Sequence, residues 1–418
     1  MSPMTPAPAT TAFSNYQKWV VALLAFLQFT IILDFMIISP LGAILMPALK
    51  ITPVQFGLVV SSYAFSAGAA GLLAAGFADR YDRKKLLLLF YAGFVVGTLL
   101  CGVARTYGFL LFARTITGIF AGVVGSTVFA IITDLFPFQM RGRVMGIIQT
   151  AFAASSVLGI PMGLYLSNRW GWNAPFLLIV TVSILVGLAK IRFLRPIDAH
   201  LALHPDRSPL HHVVHTLSNA RYLQGFATTA LLSTGGFLLM PYMSAFSVHN
   251  LGISLERLPL VYMITGVCSI IAGPLIGRAS DAYGKFATFF GGCIATIVMV
   301  VIYTHLGVTP IGQVILVNCL MFVGVSSRMI SASALISAIP QPADRGAYMS
   351  ISSSIQQLSG GIAAIVGGMI VTETSSGMLQ HFDQVGYVLV ATTLITLVMM
   401  YFISRRIDVP AALSSAAA

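Results

Sequence analysis

Three charged residues, Asp34, Arg114 and Arg328, stand in the middle of long apolar runs of this 418-residue chain, and their types define the chemistry open to it. A charge at the centre of a hydrocarbon layer costs at least about 2.5–3.5 kcal/mol, so each needs a partner or a purpose. A carboxylate can carry a proton if its surroundings change. Desolvation favours the neutral acid, a nearby arginine favours the anion, and exchanging the two environments binds and releases the proton. Asp34 is the only acid so placed and is the sole carboxylate candidate for that work; the other role open to it is a structural ion pair that never titrates. Arg328, in Ser326-Ser327-Arg328, either binds a substrate carboxylate or polarised hydroxyl, or it pairs with backbone carbonyls or snorkels to the near end of its helix. Gln28, Asn318, Gln356 and Gln357 are further polar groups able to face a substrate cavity, with ordinary helix packing as the alternative for each.

Other chemistries find less support. Cys101, Cys268, Cys293 and Cys319 lie in apolar blocks without Cys-x-x-Cys spacing and read as small buried hydrophobes. His200 and His204 stand four apart in a polar stretch that also holds His211, His212 and His215. With only Asp198 and Asp206 nearby, they form a solvated linker rather than a metal site. No Gly-x-x-x-x-Gly-Lys-Ser/Thr run occurs, so ATP hydrolysis is not expected. No His/Asp/Ser cluster can be assembled for a polytopic membrane enzyme or receptor, and no metal, cofactor or catalytic residue is expected.

The elements that must position Asp34 and the arginines follow from composition. Hydrophobic residues make up 57% of the chain and charged residues 8%, against about 25% charged in soluble domains. The apolar residues come in blocks instead of alternating, which excludes a β-barrel. Twelve blocks are long enough to cross a bilayer as helices, at 18–47, 54–78, 85–104, 107–134, 143–167, 173–195, 221–249, 257–278, 286–305, 310–338, 346–372 and 383–404. They fall into a six-helix half over 18–195 and a second over 221–404, joined by a polar loop at 196–220 and flanked by tails 1–17 and 405–418. The fold class is therefore an all-α membrane protein of twelve spans. Residues 1–17 lack a positive n-region and a cleavage site, so the first block is expected to stay in the protein. With the N-terminus in the cytoplasm, seventeen of the 23 Lys and Arg residues lie on the cytoplasmic side and four outside. That bias predicts both termini inside a cell (inner or plasma) membrane. The net charge of +11 is then an orientation signal and not a nucleic-acid footprint.

The halves repeat each other. Asp79 after the second span recurs as Asp281 after the eighth, 202 residues on, and Arg141-Gly142 recurs as Arg345-Gly346. Met145 matches Met349, Gly163 matches Gly367, and Pro40 roughly matches Pro241. Duplicated six-helix halves are a transporter architecture with the substrate site between them. The stretch Ala75-Gly-Phe-Ala-Asp79-Arg80-Tyr-Asp82-Arg83-Lys84 resembles the loop signature Gly-x-Leu-Ala-Asp-Arg-x-Gly-Arg-Lys of the major facilitator superfamily, departing from it at Ala75, Phe77 and Asp82. The second copy keeps both glycines, Gly277 and Gly284. The resemblance covers essentially the whole chain and implies a secondary transporter.

It also implies roles. Asp79 would dock on the N-terminus of span eleven and Arg83 would pair with Asp134 at the end of span four. Together with Arg80 and Asp281 they would form a latch that holds an outward-open state; solvated topology charges are the alternative. Asp34 lies 16 residues beyond Lys18 and Arg114 lies 20 before Asp134, roughly 24 and 30 Å up their helices at 1.5 Å per residue. Spans one and four are neighbours in the family, which makes an Asp34–Arg114 pair for proton coupling. Arg114-Thr-Ile-Thr-Gly118 resembles the Arg-x-x-Gln-Gly motif of proton-coupled members, with Thr117 in place of Gln. Gly159-Ile-Pro161-Met-Gly163 resembles the Gly/Pro-rich span-five signature of the family's antiporters. The expected function is proton-driven export of a small molecule such as a drug or sugar, by a monomer whose partners are its substrate, protons and the bilayer. Proton symport or uniport for uptake is the alternative.

Overall fold

The structure, a computed structural model, describes residues 13–188, 191–198, 201, 216–341 and 344–415, with backbone alone at 75, 76, 79, 138, 139, 142, 149, 220, 221, 345, 346 and 407–415. The tail at 1–12 and the histidines His200, His204, His211, His212 and His215 lie outside the described residues.

Every apolar block folds as helix, because a helix satisfies its own backbone donors and acceptors where no water reaches them. Span one is Asn15–Ile37 and Gly42–Leu49; spans two to four are Pro53–Phe77, Arg83–Val103 and Tyr107–Leu135. Span five runs Phe138–Ala154, a π-helical turn Ser155–Gly159, then Ile160–Trp170; span six is Ala174–Val182 with a π-helical end Ser183–Leu188. Spans seven to twelve are Ala220–His249, Leu258–Tyr283, Lys285–Thr304, Ile311–Ile336, Arg345–Ile370 and Phe382–Ser415. Among the described residues, ten helices are long and apolar enough to cross a membrane; span six is shorter. Span eleven, the remaining one, carries a polar run of serines and glutamines in Ser350-Ile-Ser-Ser-Ser-Ile-Gln-Gln357.

One difference from the twelve continuous blocks lies in span one, which breaks near Pro40. Proline has no N–H to donate and its ring clashes with the preceding turn, so the helix stops at Ile37 and restarts at Gly42. Pro241 sits inside span seven without ending it.

One end of the bundle is basic. There Arg83 meets Asp134, Lys84 Nζ donates to the Arg192 carbonyl at 3.1 Å, and Arg406 donates to Gln224 at 2.8 Å. The two halves meet along spans two and eleven, one and seven, and five and eight. Ser61 donates to the Gly361 carbonyl at 2.7 Å, and Ser244 donates to the Ser39 carbonyl at 3.1 Å while accepting from Ala43 N–H. Tyr242 donates to the Ala364 carbonyl of its own half at 2.6 Å with the Pro53 carbonyl of the other half 3.3 Å away, and Asn168 donates to the Leu255 carbonyl at 2.7 Å. All of these bonds lie in the part of the bundle away from the basic end. The hairpin Thr372–Glu373/Leu379–Gln380 closes the link between spans eleven and twelve there. A surface hollow of about 660 Å³ crosses the seam beside it, lined by Lys50, Thr52 and Glu373 among others.

Candidate functional site

The sequence sets Asp34 and Arg114 at similar depths on spans one and four, and the fold brings them together. Arg114 Nη1 donates to Asp34 Oδ2 at 2.8 Å and to the Asp34 backbone carbonyl at 3.2 Å. Both side chains are 0% exposed. The pair is only partly satisfied: Asp34 Oδ1 and Arg114 Nε and Nη2 have no hydrogen-bond partner. Arg114 is also held from below, its guanidinium 4.4 Å from the centre of the Tyr63 ring on span two, a contact that grows stronger where water is excluded. The Thr98 hydroxyl of span three lies beside the carboxylate but meets no hydrogen-bond geometry with it.

Small residues make this convergence possible. A methyl on Gly118 would meet the Tyr63 carbonyl and Ser66, one on Gly122 would meet Ala67, and one on Gly97 would meet Thr117. Spans two, three and four therefore approach through their backbones, which seats Arg114 on the Tyr63 face. Span five does the same for Asp34. Methyls on Gly159 and Gly163 would overlap Leu33 and Ile37, the residues one position before and three after Asp34. Pro161 cannot donate back along its helix, and the preceding turn widens to π geometry with Ile160 N–H bonding the Ser155 carbonyl. The Gly159/Pro161/Gly163 motif thus packs on the helix that carries the carboxylate. Thr117, standing where the resemblance places Gln, donates to its own Ala113 carbonyl at 2.7 Å and leaves the arginine alone.

An aromatic path leaves the pair. Tyr63 lies 5.3 Å from Phe35, and Phe35 lies 5.7 Å from Phe237 on span seven, in the other half. Tyr63, Thr98 and Phe237 were not singled out from the sequence. In blocks made mostly of apolar residues, one tyrosine or threonine carries no signal until its neighbour is known.

At the basic end, Arg83 Nε meets Asp134 Oδ2 at 3.1 Å, joining spans three and four as expected; Arg83 is buried. Asp82 replaces the signature glycine for a visible reason. It caps span three, Oδ1 accepting from Lys84 N–H at 2.9 Å, and accepts from Ile197 N–H at 3.0 Å, tying down the chain after span six. Its φ of −55° needs no glycine, whereas the matching Gly284 has φ +95°. Arg80 is exposed on a short 3-10 turn with Asp79. The side chain of Asp79 and those of Arg345 and Gly346 at the start of span eleven lie outside the described residues, as does the docking expected between them. Asp281 meets Lys285 at 3.7 Å on the surface. A pairing missed from the sequence joins spans seven and eleven: Tyr222 donates to Asp344 Oδ2 at 2.7 Å.

The remaining polar candidates scatter. Gln28 Oε1 is buried without a partner, and Gln356 and Gln357 are half-buried on span eleven. Asn318 donates to its own Val314 carbonyl and lines a small cavity with Ser247, Tyr262 and Thr265. Arg328 lies apart from these, beside Cys293 of span nine. Among the described residues no group of three His, Cys, Asp or Glu could hold a metal, and all four cysteines are free.

The sequence profile of the Major Facilitator Superfamily matches residues 24–330 and again 225–417. The chain belongs to the major facilitator superfamily. It is thus a multi-pass integral membrane protein and a secondary transporter of small molecules, not an enzyme. It is 24% identical over 372 residues to the MFS-type transporter YbcL of Bacillus subtilis (strain 168), covering 88% of this chain and 93% of that one. It is 22% identical over 353 residues to a probable sugar efflux transporter of Mannheimia succiniciproducens, covering 84% and 86%. Its fold superposes on a bacterial homologue of the human lysosomal transporter Spinster, in an inward-facing and occupied conformation, with TM-score 0.75 at 15% identity over 94% of this chain and 98% of that one. The nucleoside transporter NupG gives 0.72 at 16% identity, over 93% and 100%. At such identities the structures share the fold alone.

Proposed function

We propose that this transporter exports a small organic solute, of the drug or sugar kind, in exchange for protons, with Asp34 as the proton carrier and Arg114 as the charge that competes with the proton. The observation that carries this is the buried ion pair itself. A resting structural pair gains most when both carboxylate oxygens and the whole guanidinium are engaged. Here one carboxylate oxygen and one guanidinium edge are left over, so the pair can be exchanged for a protonated acid and a differently held arginine. Packing of the Gly159/Pro161/Gly163 helix on Leu33 and Ile37, and the likeness to a probable sugar efflux transporter, support export.

In this proposal the basic end faces the cytoplasm of a cell with both termini inside, and the bonds at the far end close the outer gate. Docking of Asp79 on the N-terminus of span eleven latches the opposite state, and the Arg83–Asp134 pair, which lies within the first half, holds the loop that carries Asp79 in place for it. The transporter acts as a monomer, with Gln28, Asn318, Gln356 and Gln357 offering polar contacts to the solute.

Flux in proteoliposomes under pH gradients of either sign tests it. Solute should leave the compartment facing the basic end when protons are more concentrated on the opposite side, and the same flux should stop when the gradient is collapsed. Solute and protons moving in the same direction would establish symport instead, and a flux indifferent to the gradient would establish uniport.

A further inference from the structure

We propose that Arg328 on span ten forms a buried anion site inside the second half of the bundle, shaped for a carboxylate and separate from the Asp34–Arg114 pair. Arg328 is only 4% exposed, yet Nε and Nη2 have no hydrogen-bond partner. Those two nitrogens share one edge of the guanidinium, where their N–H bonds point in parallel and match the two oxygens of a carboxylate. The side chain most closely associated with it is the buried thiol of Cys293 on span nine, which supplies no full negative charge of its own accord. Among the residues whose side chains are described, the acids of this half, Glu256, Asp281, Asp344, Glu373 and Asp383, all lie at or beyond helix ends.

Packing keeps the arginine where it is. A methyl on Gly292 would meet the Ser327 side chain and the Arg328 backbone nitrogen, and one on Gly324 would meet Thr296, so spans nine and ten are in backbone contact at this level. Side chains on a helix lean toward its N-terminus. Span ten begins at the end away from the basic loops, so Arg328 leans into the bundle and not out to the near surface. A lone water can accept a hydrogen bond from the edge but cannot neutralise it. An anion with two acceptor oxygens can do both.

The ligand is a free small carboxylate or the carboxylate of a transported solute; the chemistry is the same. Purified protein in detergent at constant ionic strength is titrated with formate, with chloride, and with neutral formamide, and its melting temperature is followed. Formate should raise the melting temperature saturably, chloride at least tenfold less potently, and formamide not at all. Arg328→Gln should abolish the formate response. Arg328→Lys should keep an anion response but lose the preference for formate over chloride, because an ammonium has no fork. Arg328→Lys, which keeps the charge, also covers the case in which Arg328→Gln does not fold. Equal responses to formate and formamide, a formate response unchanged in Arg328→Gln, or a preference for formate over chloride kept in Arg328→Lys, would overturn the site. Equal potency of chloride would overturn its carboxylate shape. Proteoliposomes loaded with labelled formate then separate the sources: release that depends on Arg328 identifies a transported carboxylate, while binding without release identifies a resident ion, and either outcome upholds the site.

Discussion

Replacing Asp34 by Asn tests whether the ion pair works as a proton carrier or only as packing, because stability and transport should part company. Asp34→Asn keeps the size of the side chain but removes the charge facing Arg114 Nη1 at 2.8 Å. Arg114 then retains the backbone carbonyl of residue 34 at 3.2 Å and the Tyr63 ring at 4.4 Å, and nothing negative. Breaking a fully buried pair at one partner costs about 3–5 kcal/mol, most of it the stranded charge. Arg114→Gln strands the other member and should cost a similar amount. The double substitution Asp34→Asn/Arg114→Gln strands neither, so it should cost only about 1–2 kcal/mol for lost packing and imperfect amide geometry. The two single losses would then fail to add by about 4 kcal/mol or more, beyond the range usual for residues in contact because each single variant strands a buried charge.

Denaturation of the four proteins in detergent measures this cycle, and proteoliposome flux with an imposed pH gradient measures the work. The double variant should be nearly as stable as the parent and inert to the gradient. If Asp34→Asn costs less than about 1 kcal/mol, the charge is not compensated in the way the 2.8 Å contact implies. If the stable double variant still exchanges solute for protons, another group carries the proton and the pair is structural.

Three further outcomes follow from the packing and the caps. Gly118→Ala puts a methyl against the Tyr63 backbone, where nothing flexible can yield; it should cost about 1–3 kcal/mol and slow pH-driven flux more than Gly125→Ala, whose methyl meets open space. Asp82→Ala removes the cap of span three and the bond to Ile197, and should lower stability by about 1 kcal/mol or somewhat more, read by denaturation. In the hairpin between spans eleven and twelve, burial lifts the Glu373 carboxyl above its usual value of 4.5 and His249 opposes the lift. The native state therefore holds that proton more tightly than the unfolded one, so the stability it contributes is present at low pH and lost as pH rises through the raised value; Glu373→Gln should flatten that slope in hydrogen-exchange protection of the hairpin amides.

Twelve apolar blocks and a 202-residue offset are visible in composition alone, because a bilayer imposes length and polarity on every span. The Asp34–Arg114 contact was also within reach, since an intramembrane charge demands a partner and depth can be counted along a helix. What surrounds the pair was not. Tyr63 and Thr98 look like any polar residue in a membrane helix until Gly118 and Gly97 bring spans two, three and four into backbone contact. Pro40 and Pro241 illustrate the same limit: they occupy matching places in the two halves, yet one breaks its helix and the other does not. Asp82 was legible only as a departure from glycine; beside capping span three it holds Ile197, 115 residues away, which no local pattern shows.

The seam gives the pair a way to act on the rest of the molecule. Asp34 and Arg114 belong to one half, while alternating access requires the halves to move against each other. Phe35, the residue after Asp34, touches both Tyr63 beneath Arg114 and Phe237 on span seven. Phe237 in turn lies on Gly360 of span eleven, where a methyl would meet its ring at 2.8 Å. Protonating Asp34 removes the charge that draws Arg114 toward span one, and an arginine released from its acid rests more fully on, or moves off, the Tyr63 face. In the proposed cycle either displacement would push on a row of rings that crosses into the other half at Phe237. Cores this dense switch between discrete arrangements instead of deforming smoothly. Removing the ring should therefore uncouple without unseating the pair: Phe35→Leu is expected to keep the stability cycle of Asp34 and Arg114 and to weaken the dependence of flux on the pH gradient. A variant that lost the cycle and the gradient dependence together would place Phe35 in the seat of the pair and not in its line of communication.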